Sequence, residues 1–281
     1  MNLSSLPAFP WLEVVNPSFH PGRIRHVLFD FDGTLSVIRH GWEKVMFALM
    51  AEMICDGHPL APELAAEIAA YIDRSTGILT IKQMKWLEEA VNRHGLSKTR
   101  RTAAEYKKIY NERLLVPVCQ RLSTLDQTQD SRDTLMIAGS RNFLQKLSER
   151  EVNLFLASGT DQVYVQKEAD ALGISHYFNG HIYGAVGDSE DDSKELVIRR
   201  ILSNHRLQGV ELLVVGDGPV EIQYARSAGA MTLGVAADEE KHYGLNVQKR
   251  KRLLSVGVDL IVTDFLHADE LVNIFTGSRS D

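Results

Sequence analysis

The sequence predicts an α/β fold with a parallel sheet, and three observations carry that prediction. Short apolar runs alternate with stretches of helical periodicity after about residue 140. Three apolar runs, one of them before the alternating region, end in a polar group: Asp30, Ser158 and Asp217. A block of helical pattern, roughly residues 37 to 135, separates the first run from the rest. Strand–helix alternation implies a sheet covered on both faces, so the chain reads as an α/β core interrupted by a helical insertion.

His26-Val27-Leu28-Phe29-Asp30 opens the core as a buried strand stopping at a carboxylate; the lead-in before it, broken by Pro7, Pro10, Pro17 and Pro21, reads as irregular. In the insertion, GWEKVMFALMAEMI, ELAAEIAAYIDR, TIKQMKWLEEAVNRHG and AEYKKIYNERLL carry apolar residues at helical spacing. Pro59, Pro62, Gly77, Gly95 and Pro117 punctuate them. Beyond it come a helix near Arg141–Arg150, a strand over Val152–Ala157 and a helix over Gln162–Leu172. Residues 176–187 read as loop or short strands, and a helix runs from about Lys194 to Asn204. Glu211–Val215, Met231–Ala236 and Asp259–Thr263 complete the strands.

The 281 residues are 44% hydrophobic and 24% charged, as in globular chains with a core, and a net charge of -6 gives nucleic-acid binding no support. No stretch reads as a signal peptide or a membrane span, so a cytoplasmic protein is expected. Cys55 and Cys119 belong to no metal or disulfide pattern and are expected to be buried small hydrophobes. Lys249-Arg250-Lys251-Arg252 reads as a solvated helix face.

Ligands of open parallel sheets bind at the carboxyl ends of strands, so Asp30, Ser158 and Asp217 are placed to share one crevice. In Asp30-Phe31-Asp32-Gly33-Thr34, one carboxylate can attack phosphorus while the other moves a proton. Ser158-Gly159-Thr160 offers a hydroxyl and backbone N–H groups for phosphate oxygens. Lys194, after Asp191-Asp192-Ser193 at a helix start, suits a phosphoryl counter-charge; Lys82 and Lys85 are alternatives. Asp30, the carbonyl of Asp32 and Asp217 could ligate Mg²⁺, with Glu221 binding through water or orienting Lys194. Taken singly, most of these pieces also suit ordinary turns, caps and helix N-termini.

The ordered set DFDGT, LASGT, Lys194 and GDGPVE resembles the four motifs of the haloacid dehalogenase-like superfamily, over roughly residues 26–36 and 140–265. The position of the insertion is similar to that of the helical C1 cap in the phosphoglycolate phosphatase and β-phosphoglucomutase group. The resemblance implies a Rossmann-like, three-layer core with a parallel central sheet (1–36 and 136–281) and an inserted α-helical cap (37–135). It implies Asp30 as nucleophile and Asp32 as general acid and base. Thr34, Ser158 and Gly159 would hold the phosphoryl group, Lys194 would neutralise it, and Asp30, Asp32, Asp217 and Glu221 would serve Mg²⁺. The second aspartate favours phosphate esters, because an alkoxide leaving group needs a proton and a halide does not.

After DGTL the run Ser36–Trp42 is basic and aromatic where many relatives are acidic, and Glu195 follows the lysine in place of a frequent proline. Arg39 and His40, with Trp42, Arg74 and Lys82, are candidates to face a small phosphorylated substrate such as a sugar phosphate. The expected activity is a Mg²⁺-dependent phosphatase. A phosphomutase sharing the same first step, and a noncatalytic module on the same fold, are the alternatives.

Overall fold

The computed structural model describes residues 10–19, 23–126, 128–187 and 194–277. Asp191-Asp192-Ser193 and the last four residues lie outside them. The strands are β1 (Leu12–Val14), β2 (His26–Phe29), β3 (Asn153–Asp161), β4 (Ile182–Ala185), β5 (Leu212–Gly216), β6 (Met231–Val235) and β7 (Leu260–Val262). They form one sheet in the order β1-β7-β6-β5-β2-β3-β4. Every neighbouring pair is parallel except β1 with β7.

β2 lies between β3 and β5, so the chain winds to one side of it and then crosses to the other. That reversal makes a crevice at the carboxyl end of β2. The register lines it: Phe29 pairs with Leu156 on one side and Val215 on the other. Asp30 is thus level with Ala157 and Gly216, and Ser158 and Asp217 stand one residue further out.

Alternation along β2 shows why both sheet faces are covered. Val27 and Phe29 enter one buried cluster with Phe143, Val165 and Leu271, whereas Leu28 enters another with Phe155, Val197 and Ile198. The first face carries α6 (Ser140–Glu149), α7 (Gln162–Leu172) and α11 (Ala268–Thr276); the second carries α8 (from Lys194 to Asn204), α9 (Pro219–Ser227) and α10 (Val247–Ser255). The result is a three-layer α/β architecture.

Between β2 and α6 the chain forms α1 (Trp42–Cys55), α2 (Pro62–Arg74), α3 (Thr80–His94), α4 (Ala103–Ser123) and the short α5 (Gln129–Asp133). Pro62 sits in the first turn of α2 and Gly95 caps α3, as their types favour. Met46, Leu49, Ile68, Met84, Leu87 and Leu114 turn inward, and Tyr71 stacks on Trp86 at 4.0 Å.

Several expectations change. The lead-in is not wholly irregular, because Leu12–Val14 forms an edge strand on β7. Pro117 does not end a helix; it lies inside α4. β3 runs on through Ser158, Gly159 and Thr160 to Asp161, with its register against β4 broken after Ala157. Residues 176–187 hold part of a 3₁₀ turn (Ser175–Phe178) and β4. Cys55 is buried, but Cys119 is exposed. Among the described residues no helix is long and apolar enough to cross a membrane.

Thr102 caps α4 by accepting from the backbone N–H of Glu105, whose carboxylate accepts from the N–H of Thr102. Thr102→Ala should cost about 1 kcal/mol in urea unfolding, with an unchanged m-value. At the other end of the sheet, burial and then the neighbouring His205 push the His26 pKa down from 6.5 to about 4. Between these values the unfolded chain binds a proton that the folded chain refuses, so stability falls as pH drops from 6.5 toward 4. Urea midpoints measured across that window should show a shallower slope in His26→Gln.

Candidate active site

Asp30 ends β2 and Lys194 opens the described part of α8. The Lys194 Nζ lies 2.7 Å from Asp30 Oδ1 and 3.0 Å from Glu221 Oε2, and all three side chains are buried. Glu221 sits in the first turn of α9, where its other oxygen accepts from the N–H of Gly218 at 2.7 Å. A carboxylate at a helix N-terminus suits the exposed N–H groups and the helix dipole. Both Glu221 oxygens are therefore engaged.

Asp32 follows in the turn after β2. Its Oδ2 accepts from Ser158 Oγ at 3.0 Å and lies 3.4 Å from Thr160 Oγ1. Its Oδ1 is buried and accepts no hydrogen bond, with Arg39 Nε 3.8 Å away. Asp30, Asp32, Ser158, Gly159, Lys194 and Asp217 line one cavity. Across it stand Arg39, Trp42, Glu43, Gln83 and Tyr110, together with the loop from Thr76 to Thr80.

Charge in this cavity is unbalanced. Burial raises the Asp30 pKa well above the ordinary carboxylate value, Glu221 and Asp217 add to the rise, and Lys194 opposes it. Burial also raises Asp32, against Arg39 and the Ser158 hydroxyl. Burial by itself would lower the Lys194 ammonium, but Asp30 and Glu221 outweigh it and the pKa is raised. Oxygens of Asp30, Asp217 and Glu221 come within 4.8 Å of one another. Asp30 and Asp217, buried and offering only hard oxygen donors, fit Mg²⁺ and offer nothing to a thiophilic metal, while Glu221 beside them is engaged by Lys194 and the Gly218 N–H.

The remaining predicted residues fall differently. Thr34 is fully buried, and its hydroxyl points to Asp217 Oδ1 at 3.4 Å rather than into the cavity. Arg39 lines the cavity, but its fork is spent on Glu168 of α7 in a two-pronged pair at 3.0 and 2.6 Å. His40 does not line the cavity; its ring faces Glu239 at 3.4 Å and Glu240 at 3.8 Å. Arg74 lies over the Tyr71 ring, and Lys82 lines a side pocket beneath Gly77 that also reaches Lys194.

Sequence reasoning missed two buried charges. Lys249 is not on a solvated face: it is 2% exposed and reaches Asp217 Oδ2 at 2.8 Å and Glu239 Oε1 at 2.7 Å. Glu168 is equally buried, and burial pushes its carboxyl up to about 7 against the pull of Arg39. The signal was helical spacing. Lys249 is four residues before the core residue Leu253, and Glu168 four before Leu172, so each occupies the inward stripe of its helix.

A model of the haloacid dehalogenase-like hydrolases matches residues 24–229. The chain belongs to that family. It is 24% identical over 223 residues to a phosphoglycolate phosphatase of Pectobacterium atrosepticum, covering 79% of this chain and 82% of that protein. In fold it is similar to a protein of Haemophilus somnus described as a predicted phosphoglycolate phosphatase (TM-score 0.58, 18% identity, 89% of this chain and 97% of the other). A phosphatase-like structure from Clostridium acetobutylicum gives a TM-score of 0.56 at 17% identity, with the same coverage. This hydrolase thus has its motif residues and its helical insertion around one cavity.

The insertion meets the core backbone to backbone at Gly159. A Cβ there would stand 2.5 Å from the Ile78 carbonyl oxygen and 3.1 Å from its carbon. Backbone cannot swing aside as a side-chain tip can, so Gly159→Ala should unseat the loop. Faster amide exchange over residues 75–80 than in the wild type is the expected reading; unchanged exchange would contradict this contact.

Proposed function

We propose that this hydrolase is a Mg²⁺-dependent phosphatase that removes phosphate from a small organic monoester, such as a sugar phosphate, through an aspartyl-phosphate on Asp30. The observation that carries the reading is the pairing of Asp30 with Lys194 at 2.7 Å, beside an Asp32 held by Ser158 at 3.0 Å, within one cavity. The name of the Pectobacterium relative supports a phosphomonoester as substrate.

In this reading a carboxylate oxygen of Asp30 attacks phosphorus as the bond to the leaving oxygen breaks. Asp32 gives that oxygen a proton, so an alcohol departs. Asp32, now ionised, takes a proton from water as the water attacks the phosphorus of the acyl phosphate. The P–O bond to Asp30 breaks, inorganic phosphate leaves, and both aspartates return to their starting states. Ser158 and the N–H groups of the Gly159 segment orient the phosphoryl oxygens while Lys194 offsets their charge. Glu221, with both oxygens engaged, holds Lys194. Thr34 steadies Asp217. Asp30, the Asp32 carbonyl and Asp217 would hold the metal, which when bound supplies positive charge to the attacking and phosphoryl oxygens. Residues 37–135 serve as a cap that faces the leaving group, and 1–36 with 136–281 as the catalytic core.

The test is phosphate release from a panel of phosphomonoesters. The wild type should need Mg²⁺, and Asp30→Asn should lose at least about a thousandfold in kcat. Activity that survives Asp30→Asn or a chelator would refute the reading. Asp32→Asn should lose more on alkyl phosphates than on nitrophenyl phosphate, whose leaving group needs little protonation; equal losses would remove Asp32 as the acid.

A further inference from the structure

Lys249 stands outside the catalytic steps above, yet it is more buried than Asp30, Lys194 or Asp217. An ammonium has three protons. This one has three acceptors: Asp217 Oδ2 at 2.8 Å, Glu239 Oε1 at 2.7 Å and the Gly33 carbonyl oxygen at 3.1 Å. Its place is fixed from several directions. Asn246 caps α10 by accepting from the N–H groups of Gln248 and Lys249, and Leu253 anchors the next turn in the core. Gly33, at a φ of +75°, closes the turn against it; a Cβ there would lie 2.8 Å from the ammonium and 2.5 Å from Asp217 Oδ2.

The consequence concerns which oxygens remain for a cation. Asp217 Oδ1 meets only the neutral Thr34 hydroxyl, at a long 3.4 Å, Asp30 keeps Oδ2, and both Glu221 oxygens are engaged. Ligation through the second oxygen would have to compete with the Lys249 ammonium at Asp217 Oδ2 and with the Lys194 ammonium at Asp30 Oδ1. Mg²⁺ does not need that second oxygen: it takes few protein oxygens in a tight octahedron and retains waters. Ca²⁺ wants six to eight oxygens and commonly takes both atoms of a carboxylate.

We propose that Lys249 is a positioning residue that sets metal selectivity, holding Asp217 to single-oxygen ligation and so disfavouring Ca²⁺ relative to Mg²⁺. The inference rests on the metal site of the proposed phosphatase. The coupling extends outward, because Glu239 also faces His40 at the entrance to the insertion, and burial of Glu239 is outweighed by Lys249 and His40, which hold its carboxyl at about 2.

The experiment is direct titration of Mg²⁺ and of Ca²⁺ by calorimetry, comparing the wild type, Lys249→Gln and the double variant Lys249→Gln with Glu239→Gln. The single variant leaves two buried carboxylates without their cation and is at risk of unfolding. The double variant removes the pair together and preserves net charge, so a general change in attraction for cations is cancelled. The ratio of Ca²⁺ to Mg²⁺ affinity should rise by about tenfold or more in the double variant, as Asp217 regains its second oxygen. A folded double variant with the wild-type ratio would overturn the proposal and leave the metal site standing. Failure of the double variant to fold would make Lys249 a structural residue and also overturn it. A wild type that binds neither ion would remove the metal site itself, and the proposal with it.

Discussion

The molecule is organised around an excess of buried negative charge at the carboxyl end of three neighbouring strands. Pairing of Phe29 with Leu156 and Val215 sets Asp30, Ser158 and Asp217 at nearly one height, and Asp32 follows in the next turn. Carboxylates so placed are costly to bury without cations. Lys194 and Lys249 answer from opposite sides, one bridging Asp30 to Glu221 and the other bridging Asp217 to Glu239. Even so, burial keeps the pKa values of Asp30 and Asp32 raised, so the two cations leave part of the negative charge uncompensated.

The same constraint explains the glycines and the tight loop above the site. Gly159 lets the Ile78 carbonyl close over β3. Arg39, at the start of the insertion, reaches α7 through Glu168 and passes within 3.8 Å of Asp32. Lys107 on α4 pairs with Asp161 at 2.5 Å at the end of β3, and Asn111 one turn on donates to its other oxygen at 3.0 Å. The helices between β2 and α6 are thus tied to the strand ends by charged and backbone contacts, leaving Trp42, Glu43, Gln83 and Tyr110 facing the cavity.

The strand-end residues were legible in the sequence because their signal is local: an apolar run that stops at a polar atom can be read from five residues. So were the helices of the insertion and the helix of Gln162–Leu172, where Val165, Glu168, Ala169 and Leu172 fall inward at helical spacing. What resisted reading depends on partners far along the chain. β1 is a strand only because β7 offers an edge at Leu260–Val262. Ser158–Thr160 looks like a turn, but pairing with β4 draws the strand on to Asp161. Lys249 lies in a run of four basic residues that suggests a wet surface, and only the spacing to Leu253 hints that it points inward. Arg39 and His40 were read as substrate ligands from their charge, and Glu168 and Glu239, which take up much of it, lie 129 and 199 positions away.

The central claim is that Asp30 carries the phosphoryl group in mid-reaction. Its most direct test is to mix the Mg²⁺-loaded protein with a monoester that it hydrolyses, quench in acid within a turnover, and map the digest by mass. The account predicts one added phosphoryl group on the peptide containing Asp30, absent when Asp30→Asn is treated in the same way. Phosphate released with the phosphoryl group found on another side chain, or on none in any quenched sample, would contradict it.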